Sequence, residues 1–208
     1  MRVFVLLFVT SLFLSGCGLF PSPKSWEYVS FYPSGFPRVL HGTQNSKAYL
    51  DSTFTRVELY ENGQVKNWSN FMKGELDGTV LGFYELGGQL GACYNYELGK
   101  LNGAYVEYYP SGLVKSEYSY FKGQAQQGKT YFENGQLIGE LEFEFGRLIS
   151  GVYYYSNGNL RSKGRFRYSR KIGTWYSYDS LGVLIDSTDF GDPVGDRIRK
   201  AQQESEQR

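Results

Sequence analysis

Gly103 to Gly173 contains one phrase written three times: GAYVEYYPSGLVKSEYSYFKG from Gly103, GKTYFENGQLIGELEFEFG from Gly128, and GVYYYSNGNLRSKGRFRYS from Gly151. Each copy is an aromatic strand, a tight turn ending in glycine, and a second strand running to another glycine. That is a β-hairpin repeat in sequence form. With the turn glycine as marker, copies sit at Gly35, Gly63, Gly88, Gly112, Gly135, Gly158 and Gly182, spaced 28, 25, 24, 23, 23 and 24 residues apart. The residue read as closing the strand before each turn is Tyr32, Tyr60, Tyr84, Tyr109, Phe132, Tyr155 or Tyr178. Two residues beyond the glycine stand Val65, Leu90, Val114, Leu137, Leu160 and Leu184, with Pro37 in the first copy. The expected fold is all-β: an elongated antiparallel meander of about seven hairpins of 23–28 residues, with a polar C-terminal tail.

Asn62-Gly63, Asn134-Gly135 and Asn157-Gly158 suit a type I′ turn, whose two central residues take positive φ. In that register Tyr60 faces Val65, Phe132 faces Leu137 and Tyr155 faces Leu160. The same residues fit a three-residue loop with glycine as a bulge, which shifts every pair by one. The extra residue before glycine in the copies at Tyr84 and Tyr178 implies looser turns there. Between hairpins a second punctuation recurs: Lys73-Gly74…Gly78, Gly99…Gly103, Gly123…Gly128, Gly146…Gly151 and Ser169…Gly173. These are the return turns of a continuous meander.

Upstream, Arg2 precedes the apolar run VFVLLFVTSLFL, too short for a spanning helix and suited to a secretory signal. Leu14-Ser15-Gly16-Cys17 follows directly and resembles the lipobox of bacterial lipoproteins. The resemblance implies cleavage before Cys17 and its acylation, which anchors the chain in the lipid bilayer. Gly18 rather than aspartate after Cys17 implies, by the same resemblance, a bacterial envelope protein on the outer membrane facing the periplasm rather than on the inner membrane. The expected divisions are 1–16 signal peptide, 17–27 lipidated cysteine and tether, 28–195 repeat domain, and 196–208 a helical or disordered tail.

Removing residues 1–16 takes away one base and no acid, leaving 21 of each. Balanced, interspersed charge gives no basic face for nucleic acid. Lipidation would use Cys17, one of two cysteines; Cys93, within Gly91-Ala92-Cys93-Tyr94, reads as a small buried strand residue. Catalysis has little material: His41 is the one histidine, in a degenerate connection, and Cys93 has no base beside it in sequence. No cofactor loop is present, since LGGQLGAC precedes no helical pattern. Asp186, Asp189, Asp192 and Asp196 match no EF-hand and read as a solvated chain end rather than a metal site.

The phrase aromatic-aromatic-x-(Asn/Ser)-Gly-x-(Leu/Val), with its strand and its Gly-x-x-x-Gly return, resembles the MORN-repeat variant over about Phe31 to Gly195. That family is common in bacterial lipoproteins and in proteins labelled as antitoxins. Ser169 in place of a return glycine, Leu86-Gly87 in one turn and the eroded first copy depart from its pattern. The resemblance implies a non-catalytic scaffold that binds a protein partner. An antitoxin-like immunity role transfers poorly to an exported, lipid-anchored chain. A cell-wall module, binding peptidoglycan or another polysaccharide on exposed tyrosines, is the alternative. In the type I′ register the outward face carries Tyr108, Tyr131 and Tyr154, opposite Lys115, Ile138 and Arg161. These three tyrosines are the candidate partner-binding face.

Overall fold

The computed structural model describes residues 25–43 and 53–206. Cys17, most of the tether and the connection through 44–52 therefore lie outside the described residues. Fifteen strands form one sheet: β1 (Ser25–Phe31), β2 (Pro37–Thr43), β3 (Phe54–Leu59), β4 (Val65–Met72), β5 (Glu75–Leu76), β6 (Gly78–Phe83), β7 (Leu90–Glu97), β8 (Lys100–Tyr108), β9 (Val114–Phe121), β10 (Gln124–Tyr131), β11 (Leu137–Glu144), β12 (Arg147–Tyr154), β13 (Leu160–Arg167), β14 (Arg170–Tyr178) and β15 (Leu184–Asp189). Order in space follows order in sequence, every described pairing is antiparallel, and the two-residue β5 sits beside the path on β4. Seven hairpins result, the eroded first copy included. Strand β1 takes in Ser25–Glu27, three residues expected in the tether, and helix α1 (Pro193–Glu206) starts inside the expected repeat domain. Asp192 caps that helix, accepting from Gly195 N at 3.1 Å, with Pro193 at the first helical position.

The hairpin turns are the bulged form, which corrects the type I′ register. Tyr60 N donates to Gln64 O at 2.8 Å and Gly63 N to Tyr60 O at 2.9 Å, closing a three-residue loop Glu61-Asn62-Gly63. Gly63 has φ 83° while Asn62 does not reach positive φ. Asn62 instead uses its side-chain oxygen, accepting from Gln64 N at 3.0 Å, and Asn134 and Asn157 do the same. Tyr109-Pro110-Ser111-Gly112 closes identically, with proline where a type I turn prefers it. The pairs therefore become Leu59↔Val65, Tyr108↔Val114, Tyr131↔Leu137, Tyr154↔Leu160 and Tyr178↔Leu184. The Tyr84 turn is looser as expected, with Tyr84 N reaching Gln89 O. The last turn is not: Asp179 closes it on Val183 and occupies the place held by Tyr109 and Tyr155 in earlier copies.

Type I′ geometry lies at the opposite edge. Lys73-Gly74, Leu98-Gly99, Lys122-Gly123, Phe145-Gly146 and Tyr168-Ser169 all have both φ values between 46° and 83°. Two-residue loops leave no alternative, so even Phe145 (φ 49°) and Tyr168 (φ 50°) accept the left-handed region, at a cost of about 1 kcal/mol each.

A single sheet has no second layer to cover it, and the described residues include only seven buried apolar side chains. Two arrangements replace a conventional core. Around the first hairpins Leu40, Val57 and Leu59 cluster with Val65 and Trp68. On the other face an aromatic band runs across the strands: Tyr94–Tyr105 (ring centroids 4.5 Å apart), Tyr105–Tyr118 (6.0 Å) and, beyond a gap, Tyr153–Trp175 (6.3 Å) and Phe166–Trp175 (5.0 Å). Mid-strand glycines make room for these rings. A Cβ at Gly128 would stand 2.3 Å from the Tyr118 ring, and one at Gly164 the same distance from the Trp175 ring.

Candidate functional site

Alternation along β8 puts Tyr105 and Glu107 on one face and Val106 and Tyr108 on the other. Pairing carries the assignment across the sheet. Glu107↔Ser116, Thr130↔Gly139 and Tyr153↔Ser162 belong to the Glu107 face; Val106↔Glu117, Lys129↔Glu140 and Val152↔Lys163 belong to the Tyr108 face.

The candidate residues Tyr108, Tyr131 and Tyr154 do share a face. Their cross-strand partners are Val114, Leu137 and Leu160, not Lys115, Ile138 and Arg161 as the type I′ register required. All three are half-buried. Tyr131 donates its hydroxyl to Glu117, and Tyr154 donates to Glu140 at 3.1 Å. Glu140 also meets Lys129 at 3.8 Å. The result is two phenol–carboxylate pairs with the Lys129 ammonium beside the second.

These tyrosines resist ionisation. Burial first, and then the hydrogen bond to Glu117, push Tyr131 up to about 12. Tyr154 is raised by burial and Glu140, and on the other face Tyr105 is raised by burial and its bond to Glu107. The folded chain thus holds these protons above the ordinary tyrosine value of about 10, where the unfolded chain releases them. The contribution of Tyr131 to stability is complete below pH 10 and is lost as pH rises through about 12, and Tyr154 and Tyr105 act in the same direction. Urea midpoints measured from pH 8 to 12 should be level at first and then fall. Tyr131→Phe should flatten part of that fall, and an equal slope in the variant would refute the assignment.

The aromatics immediately before the turns do something that the sequence reading missed. Tyr32 donates its hydroxyl to Leu59 O (2.8 Å), Tyr60 to Phe83 O (2.9 Å), Tyr84 to Tyr108 O (2.7 Å), Tyr109 to Tyr131 O (2.8 Å) and Tyr155 to Tyr178 O (2.8 Å). Each ring starts at the end of its hairpin's first strand and bonds the first strand of the next hairpin. It must therefore lie across the second strand of its own. Tyr84 shows how flat: its ring edge is 3.2 Å from where a Gly91 Cβ would stand. Phe132 has no hydroxyl, and Asp179 ends the series in the last hairpin of the described residues. The preference for tyrosine over phenylalanine at this position was the available signal.

Beside these rings, on the Glu107 face, are two shallow recesses of about 300 and 380 Å3. Tyr60, Asn67, Tyr84 and Tyr94 line the first; Tyr105, Tyr109, Tyr118 and Thr130 line the second; Glu107 and Lys115 belong to both. Glu107 accepts from Tyr105 Oη at 2.7 Å and from Ser116 Oγ at 3.3 Å. Lys115 is the extra residue of a bulge between the pairs Glu107↔Ser116 and Tyr108↔Val114.

The other singled-out residues stay apart from this ground. His41 stands beside Phe54, 4.9 Å between centroids, and burial and Arg56 lower its proton affinity. Cys93 is buried in β7. Asp192 pairs with Arg167 at 2.6 Å, and Asp186 and Asp189 accept from Thr188 and Gly191 nearby in sequence.

Three stretches, 101–122, 127–144 and 151–168, match the family model described as the MORN repeat variant. They correspond to the hairpins β8–β9, β10–β11 and β12–β13. No curated protein matches the chain. Solved structures give only slight likeness. A mutant of S. aureus TarM in complex with Fondaparinux, alpha-GlcNAc-glycerol and UDP is 10% identical, with 46% of this chain and 19% of that one covered and a TM-score of 0.32. A GtfA/B complex is 13% identical over 65% of this chain and 20% of that one, with a TM-score of 0.27. The chain thus spans about a fifth of the length of each.

Proposed function

We propose that this protein is a non-catalytic repeat scaffold, held on a bacterial envelope membrane through acylated Cys17, that docks a protein partner on its Tyr108 face. The observation that carries the scaffold reading is the open single-layer sheet, whose hairpins repeat one surface at a fixed step along an array. The matches of three hairpins to the MORN repeat variant support it, since such repeats are generally scaffold and binding modules. On the proposed docking face Tyr108, Tyr131 and Tyr154 are half-buried rings beside Glu117, Lys129 and Glu140. Aromatic bodies with polar tips, set among charges of both signs, suit a protein surface better than a polyanion.

The anchor and the face are separable in experiment. Fatty-acid labelling of wild type and Cys17→Ala should give a labelled membrane protein and an unlabelled soluble one; unlabelled, soluble wild type would sink the anchor. Crosslinking in intact envelopes should then yield a discrete adduct that the triple variant Tyr108→Ala, Tyr131→Ala, Tyr154→Ala loses while remaining folded. An unchanged adduct would move the docking face elsewhere.

A further inference from the structure

The Glu107 face has a different chemistry from the docking face just assigned. Tyr84 and Tyr109 each lie over a strand with the hydroxyl tied down, so one ring side rests on the sheet and the other faces outward. They occupy corresponding places in successive hairpins, two strand spacings apart, or about 9–10 Å. Two sugar units of an extended chain cover a similar length. Between the two rings stand Glu107, with lone pairs beyond those taken by Tyr105 and Ser116, and Lys115, which makes no ion pair among the described residues. The two recesses share these residues and so run on as one trough across the strands.

This combination selects among ligands. A nucleic acid would meet a carboxylate at the centre of the trough. An extended peptide would find no backbone partners, because the strands use theirs in the ladder and peptide addition takes place at sheet edges. A small molecule would be poorly enclosed by so shallow a site. A polyhydroxyl chain meets none of these objections: its rings present C–H faces to the phenols, and its hydroxyls both donate to a carboxylate and accept from an ammonium. We propose that the trough binds a linear, uncharged polysaccharide lying across the strands, with sugar rings on Tyr84 and Tyr109 and hydroxyls bonded to Glu107 and Lys115.

Titration calorimetry of the full chain with cellohexaose and chitohexaose tests this, with maltohexaose as a chain of different curvature. At least one extended hexamer should bind, and more tightly than maltohexaose. Tyr109→Phe keeps the platform and should bind nearly as wild type, whereas Tyr109→Ala should weaken binding about tenfold, the worth of about 1.4 kcal/mol of stacking. Glu107→Gln and Lys115→Ala lie outside the hydroxyl series and provide variants that keep their fold; each should also weaken binding. Failure of both extended hexamers to bind folded wild type overturns the proposal, as does binding indifferent to Glu107→Gln, Lys115→Ala and Tyr109→Ala. A protein adduct crosslinked through Lys115 in place of sugar binding overturns it too, while leaving the scaffold reading intact. Loss of the envelope adduct with sugar binding retained would strike the scaffold's protein partner and leave the trough standing.

Discussion

Trp175→Ala is expected to destabilise the sheet by about 3 kcal/mol, a large effect where the described strands form a single layer. The indole is 3% exposed, donates from Nε1 to Arg165 O at 3.0 Å, and sits between Tyr153 and Phe166 with the Lys171 ammonium 4.2 Å from its ring. It also lies on Gly164, so Gly164→Ala should itself cost about 2 kcal/mol by forcing the ring away. Combined, the two substitutions should cost less than their sum, because the alanine at 164 then enters the space left by the indole. Urea denaturation alongside hydrogen exchange of β13 and β14 would measure this; strict additivity would show that the ring and the glycine do not act together. Exchange is needed because an array of hairpins can lose its end without melting throughout.

The hydroxyl series predicts a graded set. Tyr109→Phe should cost about 1 kcal/mol by leaving Tyr131 O without its donor. Tyr109→Ala should cost about 3 kcal/mol, since the ring that covers β9 goes as well. The informative variant runs the other way. Phe132→Tyr should restore the missing member by donating to Tyr154 O and raise stability by about 1 kcal/mol. Thermal melts of the three would decide it, and a neutral or destabilising Phe132→Tyr would mean that the gap at 132 has another cause.

The hairpin count was legible because aromatic, glycine and aliphatic residues recur at fixed offsets that need no tertiary information. Register was not, because Asn-Gly serves two turns equally well: as the centre of a two-residue loop, or as the last two residues of a three-residue loop. Glu61, Glu133 and Ser156 decide between them, and a polar residue there looks the same in either. The one-residue shift moves every side chain to its neighbour's partner. Tyr108 and Tyr154 thus acquire the aliphatic partners Val114 and Leu160 where Lys115 and Arg161 were expected, and Tyr131 exchanges Ile138 for Leu137. That Tyr109 reaches Tyr131 O, more than twenty residues along the chain, depends on strand spacing and ring length together, and no local pattern encodes either. Glu107 and Lys115 were unremarkable as letters. Their importance comes from a bulge that turns Lys115 toward the same trough as a carboxylate from the adjacent strand.

The hydroxyls of the five tyrosines just before the turns all point the same way along the chain, each giving to the hairpin that follows its own. The array therefore has a head and a tail, and its members are interchangeable only in the interior. Excising the hairpin Lys100–Phe121 would present Tyr84 with Tyr131 O in place of Tyr108 O, an equivalent acceptor in an equivalent strand. Ending the chain after β13 would leave Tyr155 reaching for a carbonyl that no longer exists. Asp179, which asks nothing of a following hairpin, closes the last described hairpin without such a donor.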